Sequence, residues 1–280
     1  MRRFRYLAVS SGFWKPNVDY VVKVVEALRG KVDDGDLVVV SEKAVSTATG
    51  NIVDEKAVKP GLTAYFLAKC WMRLVWAFIL GPLCHLRKGT VDHFRKYPLK
   101  KGSVHKQVVL QYSGFLQALL PMSEGGIDGS NLPYSYVSLP LEDAHQIAQK
   151  ILDGIRKDLG RSVTVMIVDS DKTYSWRNFH FTPRPRPMRG IRSMGGFITY
   201  VVGRALKLKS RATPLAVVGA AISVEEALEV ANLSNRARGF GAGRTIWDMA
   251  KTFKVPLTAV TWEMLEKVKH KPIVIVRSKI

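Results

Sequence analysis

Short apolar runs and longer amphipathic segments alternate along the chain, with polar or turn-forming residues between them. The short runs predict buried strands, because each has the length of one strand and ends at turn residues. These runs are residues 6–10, 37–40, 134–139, 163–168, 214–222 and 272–276. Apolar residues three and four positions apart predict amphipathic helices. These segments are residues 18–28, 142–159, 223–237, 247–253 and 261–268. Strands and helices are interspersed without a repeat, so we expect a mixed α/β or α+β fold.

The segment 61–104 differs in composition from the rest of the chain. Residues 61–84 are strongly apolar and rich in aromatic residues, but the longest uncharged run, 74–84, is too short to cross a bilayer. We therefore expect no membrane span, and a buried or interface helix ending near Gly81-Pro82; contact with a membrane surface is the alternative. Residues 88–106 are basic and are expected to be exposed. We treat 1–280 as one catalytic unit of one or two lobes, in which 61–104 resembles an insert.

Composition narrows the class of partner more than it narrows the fold. The chain has 280 residues, 47% hydrophobic residues and a formal net charge of +20. A chain of this composition is not expected to be disordered. Its charge attracts polyanions, so nucleotides, anionic metabolites, nucleic acids and acidic lipids all remain possible partners. The two cysteines show neither disulfide-framework nor zinc-site spacing, which favours a reducing, cytoplasmic environment.

Two aspartates lie in settings that suit a metal site. Asp128 belongs to the sequence Gly126-Ile127-Asp128-Gly129-Ser130-Asn131, and Asp169 and Ser170 directly follow an apolar strand. Ligands in open α/β folds bind at the carboxyl ends of strands. Two carboxylates and a hydroxyl there would suit Mg²⁺ or Mn²⁺ that also holds phosphate oxygens. The alternative is structural: Asp128 caps its own turn, and Asp169 only ends a strand.

The span 172–224 contains ten Lys and Arg residues and no Asp or Glu. Arginine forks suit phosphate and carboxylate groups, so Arg177, Arg186 and Arg189 are candidates for binding an anionic substrate. A solvated basic surface is the alternative. Nucleic acid is less favoured, since the chain has no recognised RNP sequence, zinc finger or KH-type GXXG loop. Gly239, Gly241 and Gly243 either bring backbone amides to a phosphate or end a helix.

The order of several motifs carries a family resemblance. The strand 35–40 is followed by Ser46-Thr47-Ala48-Thr49-Gly50, then by the motif 126–131, and finally by Val168-Asp169-Ser170 with Trp176-Arg177 beyond it. This order resembles the coenzyme F-420-0:L-glutamate ligases, which are γ-glutamyl ligases of deazaflavin coenzyme synthesis. The resemblance covers residues 7–60 and 105–178 well; it is thinner over 213–280 and poor over 61–104 and 179–212.

The resemblance implies a fold, a reaction and a set of site residues. The fold would be a γ-glutamyl ligase-like mixed α/β architecture in an intertwined homodimer. The reaction would be the GTP- and metal-dependent ligation of L-glutamate to an anionic deazaflavin precursor through an acyl phosphate. Asp128, Asp169 and Ser170 would bind Mg²⁺ or Mn²⁺, with both aspartates acting in catalysis. The nucleotide would be contacted by Ser11, Gly12, Phe13, Trp14, Glu42, Lys43, Asn131 and the loop of Gly239, Gly241 and Gly243.

The chain also departs from the family pattern. Thr47 and Thr49 stand where the family has Lys and Glu, and the glycine loop 239–243 has no acidic or amide metal ligand. Three alternatives follow from these departures and from the charge: a ligase with another anionic acceptor, a nucleotide-binding protein without ligase activity, and a basic nucleic-acid-binding protein.

Overall fold

The computed structural model describes residues 4–122 and 124–278, and it confirms the mixed α/β class. The strands are β1 Phe4–Val9, β2 Leu37–Ser41, β3 Ile52–Asp54, β4 Tyr136–Ser138, β5 Thr164–Trp176, β6 Phe179–Thr182, β7 Arg192–Ser193, β8 Lys209–Val218 and β9 Ile273–Ser278. The helices are α1 Tyr20–Leu28, α2 Glu42–Ala48, α3 Leu62–Phe66, α4 Gly81–Leu83, α5 Lys88–Arg95, α6 Leu99–Tyr112, α7 Phe115–Ala118, α8 Ala144–Leu159, α9 Phe197–Ala205, α10 Val224–Ala237, α11 Ile246–Phe253 and α12 Trp262–Glu266. Each predicted strand and helix overlaps one of these elements.

The main sheet is mixed, and strands from both ends of the described chain lie in it. Its order is β1-β9-β2-β5-β6-β7, with β8 paired to β5. β2 and β5 run parallel, whereas β9 lies antiparallel between β1 and β2. A second sheet contains only β3 and β4. The parallel pair β2 and β5 therefore lies inside the main sheet, and its carboxyl-terminal edge is a place where ligands commonly bind.

Helices cover both faces of the sheet, which explains why β2 is apolar throughout. Val38 and Val40 pack with α1 and α8 on one face, while Val39 packs with α10 on the other. Successive side chains of a strand point to opposite faces, so a strand that is buried on both sides needs an unbroken apolar run. Helix α10 begins at the predicted cap, since the Ser223 hydroxyl accepts a hydrogen bond from the Glu226 amide.

The prediction that a strand ends at Val168 is wrong. β5 continues to Trp176, but its register against β8 shifts between Ile167 and Val168 and again between Asp169 and Lys172. These shifts mark a bulge, in which extra residues on one strand leave the regular ladder. Asp169 and Ser170 consequently lie at a bulge inside a long strand. The bulge interrupts the apolar run, and for that reason the sequence pattern did not show the rest of the strand.

The strand predicted to begin at Pro214 instead begins at Lys209, so the proline lies within β8. Proline lacks an amide hydrogen and is tolerated in edge strands and at bulges. Among the described strands β8 pairs only with β5, and Pro214 lies opposite Val168 at a register shift. The edge position and the bulge together explain why this proline does not break the strand.

The segment Leu62–Leu83 forms one continuous helix of 22 residues, which we call the apolar helix. Helix α3 is its first part and α4 its last, and the middle, Leu67–Leu80, has π-helical hydrogen bonding. By length and composition it is the one helix of the described residues that could cross a membrane. One of its faces packs against α5 and α9, and the other is exposed. The expectation that 88–106 is exposed is wrong in part, because Phe94 and Lys106 are 0% exposed and Val91, Tyr97 and Ser103 are also buried.

Candidate functional site

A cavity of about 450 Å³ opens where β2 ends, beside the β5 bulge. Six separate parts of the chain line it: the loop before α1, the start of α2, the loop after Ile127, the bulge itself, the end of α10 with the loop that follows it, and the segment that precedes β9. Most of the predicted site residues meet here. They are Phe13, Trp14, Lys43, Asp128, Asn131, Asp169, Ser170, Gly239, Gly241 and Gly243.

Three predicted residues support the cavity from behind. The Ser11 hydroxyl accepts a hydrogen bond from the Trp14 indole (3.0 Å), and the Gly12 carbonyl accepts one from the His270 ring (3.0 Å). The Glu42 carboxylate is buried beneath the floor, where it accepts a hydrogen bond from the Leu141 amide (2.8 Å). These residues fix the positions of their neighbours without lining the cavity themselves.

The three arginines predicted to bind an anionic substrate lie elsewhere. Arg177, Arg186 and Arg189 are exposed, and none of them lines the cavity. Arg177 lies in the β5–β6 turn, while Arg186 donates a long hydrogen bond to the Glu142 carbonyl (3.4 Å). The structure does not bring these arginines together with the two aspartates, and their role in substrate binding stays a prediction.

Asp128 both caps its own turn and faces the cavity. One carboxylate oxygen accepts a hydrogen bond from the Ser130 amide (2.7 Å), as an aspartate in a tight turn commonly does. The other oxygen is in close contact with the Lys43 ammonium group, which also donates to the Ser130 hydroxyl (2.8 Å). The structural and functional interpretations of Asp128 are therefore compatible, since the cap holds the carboxylate beside Lys43.

Asp169 is held by a residue that the sequence analysis did not select. The Arg184 guanidinium is only 2% exposed; it donates to Asp169 (2.7 Å) and to the Gly125 carbonyl (2.7 Å), and it also pairs closely with Glu42. Gly126 makes room for it, because a Cβ there would lie 2.6 Å from the guanidinium carbon. Arg184 is one of several arginines in a Pro-Arg run, and no local pattern marks it as the buried one.

Arg184 lies between two carboxylates, and this arrangement changes their protonation. Burial raises the pKa of Glu42, Arg184 opposes this effect and the nearby Asp169 charge adds to it, so that the pKa lies at about 7. The same two carboxylates raise the pKa of Arg184, which stays charged. One guanidinium therefore compensates two carboxylates only in part, and for this reason the pKa of Glu42 stays above its usual range.

A second, very small cavity of about 10 Å³ lies beside the first. Its wall includes the carboxylate residues Glu42, Asp128, Asp169 and Asp171. Carboxylate and hydroxyl oxygens are the ligands that Mg²⁺ and Mn²⁺ prefer, so the chemistry of the donors fits such an ion. Across residues 4–122 and 124–278, however, no group of three or more His, Cys, Asp or Glu is placed to hold a metal by itself. The residues suit an ion whose coordination is completed by phosphate.

The lining of the cavity is also strongly basic. It includes five cationic residues that the sequence analysis did not assign to the site: Lys172, Arg236, Arg238, Arg244 and Lys271. Burial lowers the pKa of Arg238 to about 10, with Asp169 partly offsetting the effect, and burial also lowers the pKa of Lys172. A cavity lined by both cations and carboxylates suits a polyphosphate that is bound together with a metal ion.

Asn131 holds the glycine loop in place. Its amide nitrogen donates to the carbonyls of Phe240 (3.1 Å) and Gly243 (3.0 Å), and its oxygen accepts from the Ala242 amide (2.7 Å). Gly241 has a φ of +56°, and a Cβ there would lie 2.6 Å from the Asn131 oxygen. The glycine loop can therefore lie against the 128–131 loop only with glycine at this position.

Flat side chains lie on the same side of the cavity as the glycine loop. Phe13 stacks on His270 with ring centres 4.2 Å apart, and the Arg244 guanidinium lies 3.9 Å from the centre of the Phe240 ring. Burial lowers the pKa of His270 to about 4, so the ring is neutral at pH 7 and donates its Nδ1 proton to the Gly12 carbonyl. These planar groups offer surfaces on which an aromatic base could stack.

Behind the 124–131 loop lies a buried cluster of charged groups. His105 bridges Glu55 (2.6 Å) and Glu124 (2.5 Å), and Lys106 contacts Glu124 (2.5 Å) and the Leu120 carbonyl (2.6 Å). Burial opposes the charge on His105, but Glu124 and Glu55 raise its pKa well above the ordinary value. Burial likewise acts to raise the pKa of Glu124, but Lys106 and His105 lower it to about 2. The cluster anchors the start of the 124–131 loop to α6.

Comparisons with known proteins match this architecture to one family. A family model described as F420-0:Gamma-glutamyl ligase matches residues 13–218, which include both aspartates and their cationic partners. An uncharacterized protein of Methanocaldococcus jannaschii is 34% identical over 288 residues, covering 98% of this chain and 97% of the relative. The similarity therefore extends over nearly the full length of the chain, well beyond the residues matched by the family model.

Proposed function

The chain belongs to the F420-0:gamma-glutamyl ligase family, and from this premise we propose that it uses GTP and a divalent metal ion to join L-glutamate to an anionic deazaflavin precursor. The product would contain a new amide bond. The family itself implies γ-glutamyl ligase chemistry on the F420-0 precursor. The nucleotide, the metal ion and the intermediate are the parts of the proposal that go further than membership of the family.

One observation carries the proposal: predicted nucleotide and metal residues from distant parts of the chain line the same cavity. Phe13, Lys43, Asp128, Asp169 and the glycine loop come from separate elements, yet all of them face a space of about 450 Å³. A space of this size falls within the range of small-molecule sites. A convergence of this kind is expected of a binding site and is not required for stability of the fold.

The lining supports a division of the cavity into a phosphate region and a base region. The cations Lys43, Lys172 and Arg238 would bind the phosphate oxygens. The stacked pair Phe13–His270 would contact the base. Asp128, Asp169 and Ser170 would hold Mg²⁺ or Mn²⁺ against the phosphates, and an ion bound there would neutralise charge that develops during phosphoryl transfer.

Lys43 offers a substitute for the lysine that the family carries at position 47. The Thr47 hydroxyl donates to the Lys43 carbonyl (2.8 Å), and both residues line the cavity. Residues four positions apart on a helix lie on the same face. A lysine at 43 therefore presents its charge from the same face of α2, one turn earlier. We propose that Lys43 moves from Asp128 to a phosphate when the nucleotide binds.

In the proposed reaction, a carboxylate oxygen of the precursor attacks the γ-phosphorus of GTP, and GDP leaves. The neutral amine of L-glutamate then attacks the acyl carbon, phosphate leaves, and the nitrogen loses a proton to form the amide. The chain's own residues would bind and orient the reactants, since positioning and electrostatic stabilisation account for most of the catalysis in phosphoryl transfer. A homodimeric assembly remains part of the proposal.

The experiment is mass spectrometry of a reaction that contains F420-0, L-glutamate, GTP and Mg²⁺ or Mn²⁺, with GDP measured in parallel. We expect a glutamyl adduct and an equal amount of GDP. Asp128→Asn and Lys43→Met should lower product formation by at least about a hundredfold, the size of effect seen when one electrostatic contact to a transition state is removed. Asp158→Asn, on an exposed part of α8, is the matched control and should leave the rate unchanged.

The alternative outcomes each point to a different conclusion. Metal-dependent GTP binding without an adduct would reject F420-0 as the acceptor and favour another anionic acceptor or a non-catalytic role. Failure to bind GTP would reject the nucleotide assignment and leave only the shared fold. Product formation by Lys43→Met at the wild-type rate would reject the role of Lys43 while leaving the reaction intact.

A further inference from the structure

The apolar helix Leu62–Leu83 has one face inside the protein and one face outside it. Met72 and Trp76 are fully buried, and the indoles of Trp71 and Trp76 both donate to the Leu119 carbonyl (2.8 Å each). The outer face consists of large apolar side chains that remain exposed: Leu62, Phe66, Leu74, Phe78, Ile79 and Leu83. Single exposed apolar residues are common, whereas a row of them along one helix marks a surface that binds something.

Helix α9 extends this exposed surface. Its residues Ile198 and Val202 and the following Leu206 are exposed. Arg204 of α9 donates to the carbonyl of Cys84 (3.1 Å), which places the end of α9 beside the end of the apolar helix. We call the six residues of the outer face together with these three residues of α9 the apolar face. It combines two neighbouring helices in one surface.

Cationic side chains lie directly against this face. The Arg95 guanidinium lies 5.1 Å from the centre of the Phe78 ring, and the Lys69 ammonium group lies 5.8 Å from the centre of the Tyr65 ring. Further exposed cations follow the apolar helix in sequence: Arg87, Lys88, Lys96, Lys100 and Lys101. Apolar and aromatic side chains bordered by Lys and Arg are typical of helices that lie in the interface of an anionic membrane.

We propose that the apolar face docks this protein on the surface of an anionic lipid bilayer, with the apolar helix lying in the plane of the membrane. The net charge of +20 supports this choice of partner, because it attracts an anionic surface. A spanning orientation would require Met72 and Trp76 to leave the core in which they are fully buried. The inference does not depend on the proposed reaction.

Sedimentation with vesicles tests the proposal. We expect the protein to pellet with vesicles of phosphatidylcholine and phosphatidylglycerol, to remain in solution with phosphatidylcholine alone, and to be released by salt. Phe78→Ser with Ile79→Ser should lower the partition coefficient at least about tenfold, because two apolar side chains no longer enter the bilayer. These side chains are 59% and 62% exposed, so the variant should fold, and an unchanged thermal melting temperature checks this.

Tyr6→Ser with Leu7→Ser is the matched control, because it removes two exposed apolar side chains from β1, at the opposite edge of the sheet. This variant should bind vesicles as the wild type does. Absence of binding to anionic vesicles, or equal binding to both kinds of vesicle, would overturn the proposal. The proposal would also be overturned if the wild type sedimented as a dimer and the variant with Phe78→Ser and Ile79→Ser sedimented as a monomer. That result would assign the apolar face to contact with a second copy of the chain.

Discussion

Arg184 offers the sharpest test of how the site is held together. In Arg184→Met the side chain keeps much of its volume but loses its guanidinium. Glu42 is then buried without its cationic partner, Asp169 loses this ion pair, and the Gly125 carbonyl loses a donor. Removing one partner of a buried ion pair costs about 3–5 kcal/mol. Glu42 already takes up a proton near pH 7, which moderates the loss, so we expect the free energy of unfolding to fall by about 3 kcal/mol at pH 7.

Urea unfolding followed by tryptophan fluorescence measures this loss. A decrease of about 3 kcal/mol should lower the urea midpoint by about 1 M in a chain of this size. Arg184 opposes the effect of burial on the pKa of Glu42, so removal of the guanidinium raises that pKa further. The stability that the protonated Glu42 allows is present at low pH and is lost as the pH rises through the folded pKa. The difference between the variant and the wild type should therefore grow from pH 5 to pH 8.

Arg186→Met is the matched control. Arg186 belongs to the same Pro-Arg run but is exposed and donates only one long hydrogen bond, of 3.4 Å. Its replacement should change the free energy of unfolding by less than about 0.5 kcal/mol. Equal urea midpoints for the two variants, or a difference that does not change with pH, would refute the account of Arg184 as the buried cation that holds this site together.

Three further predictions follow from other contacts. The pKa of Glu42 is about 7 in the folded protein against 4.5 for the free group, so its contribution to stability is lost as the pH rises through 7. The wild-type free energy of unfolding should therefore decline by on the order of 3 kcal/mol between pH 4.5 and pH 8, and Glu42→Gln should remove this decline. Because the pKa of His105 is raised in the folded protein, protonated His105 stabilises the fold below pH 6.5, and this stabilisation is lost as the pH rises through the folded pKa. His105→Gln should therefore lower the free energy of unfolding by about 1–3 kcal/mol at pH 6 and by less in alkaline buffer. Gly126→Ala should lower the free energy of unfolding in urea by about 2–4 kcal/mol, because φ is +96° and Arg184 fills the space of the new Cβ. Gly30→Ala is the control: its φ is +69° but the space around it is open, so the loss should be only about 1 kcal/mol.

Elements with an unbroken local pattern could be predicted from the sequence. α10 shows both its apolar period and its serine cap, and β2 is apolar throughout because helices cover both of its faces. β5 could not be predicted in full. Its second half follows a bulge and is polar at several positions, and its pairing with β8 joins residues that are far apart in the sequence. A local pattern contains no information about such a partner.

Some residues of the candidate site could likewise be predicted from local motifs, whereas others could not. Asp128, Asn131 and Asp169 lie in short motifs whose chemistry is evident from neighbouring residues, and the structure places all three at one cavity. Arg184 and the cations after α10 are brought to the site only by the fold. Arg184 and Arg186 are indistinguishable in sequence, yet one is buried between carboxylates and the other is exposed. Charge density predicted a binding surface without showing which cations form it.

The position of β9 between β1 and β2 has a consequence for the order in which the protein is built. Leu37 of β2 pairs with Val276 of β9, so these two neighbouring strands are synthesised at widely separated times during translation. Until the ribosome has released β9, β1 and β2 each lack a neighbour, and the cavity lacks the wall formed by His270, Lys271 and Pro272. Contacts this distant in sequence form slowly, and unpaired strand edges are exposed in the meantime. A nascent chain paused before β9 should therefore be protease-sensitive and a client of chaperones, with ligand binding gained last.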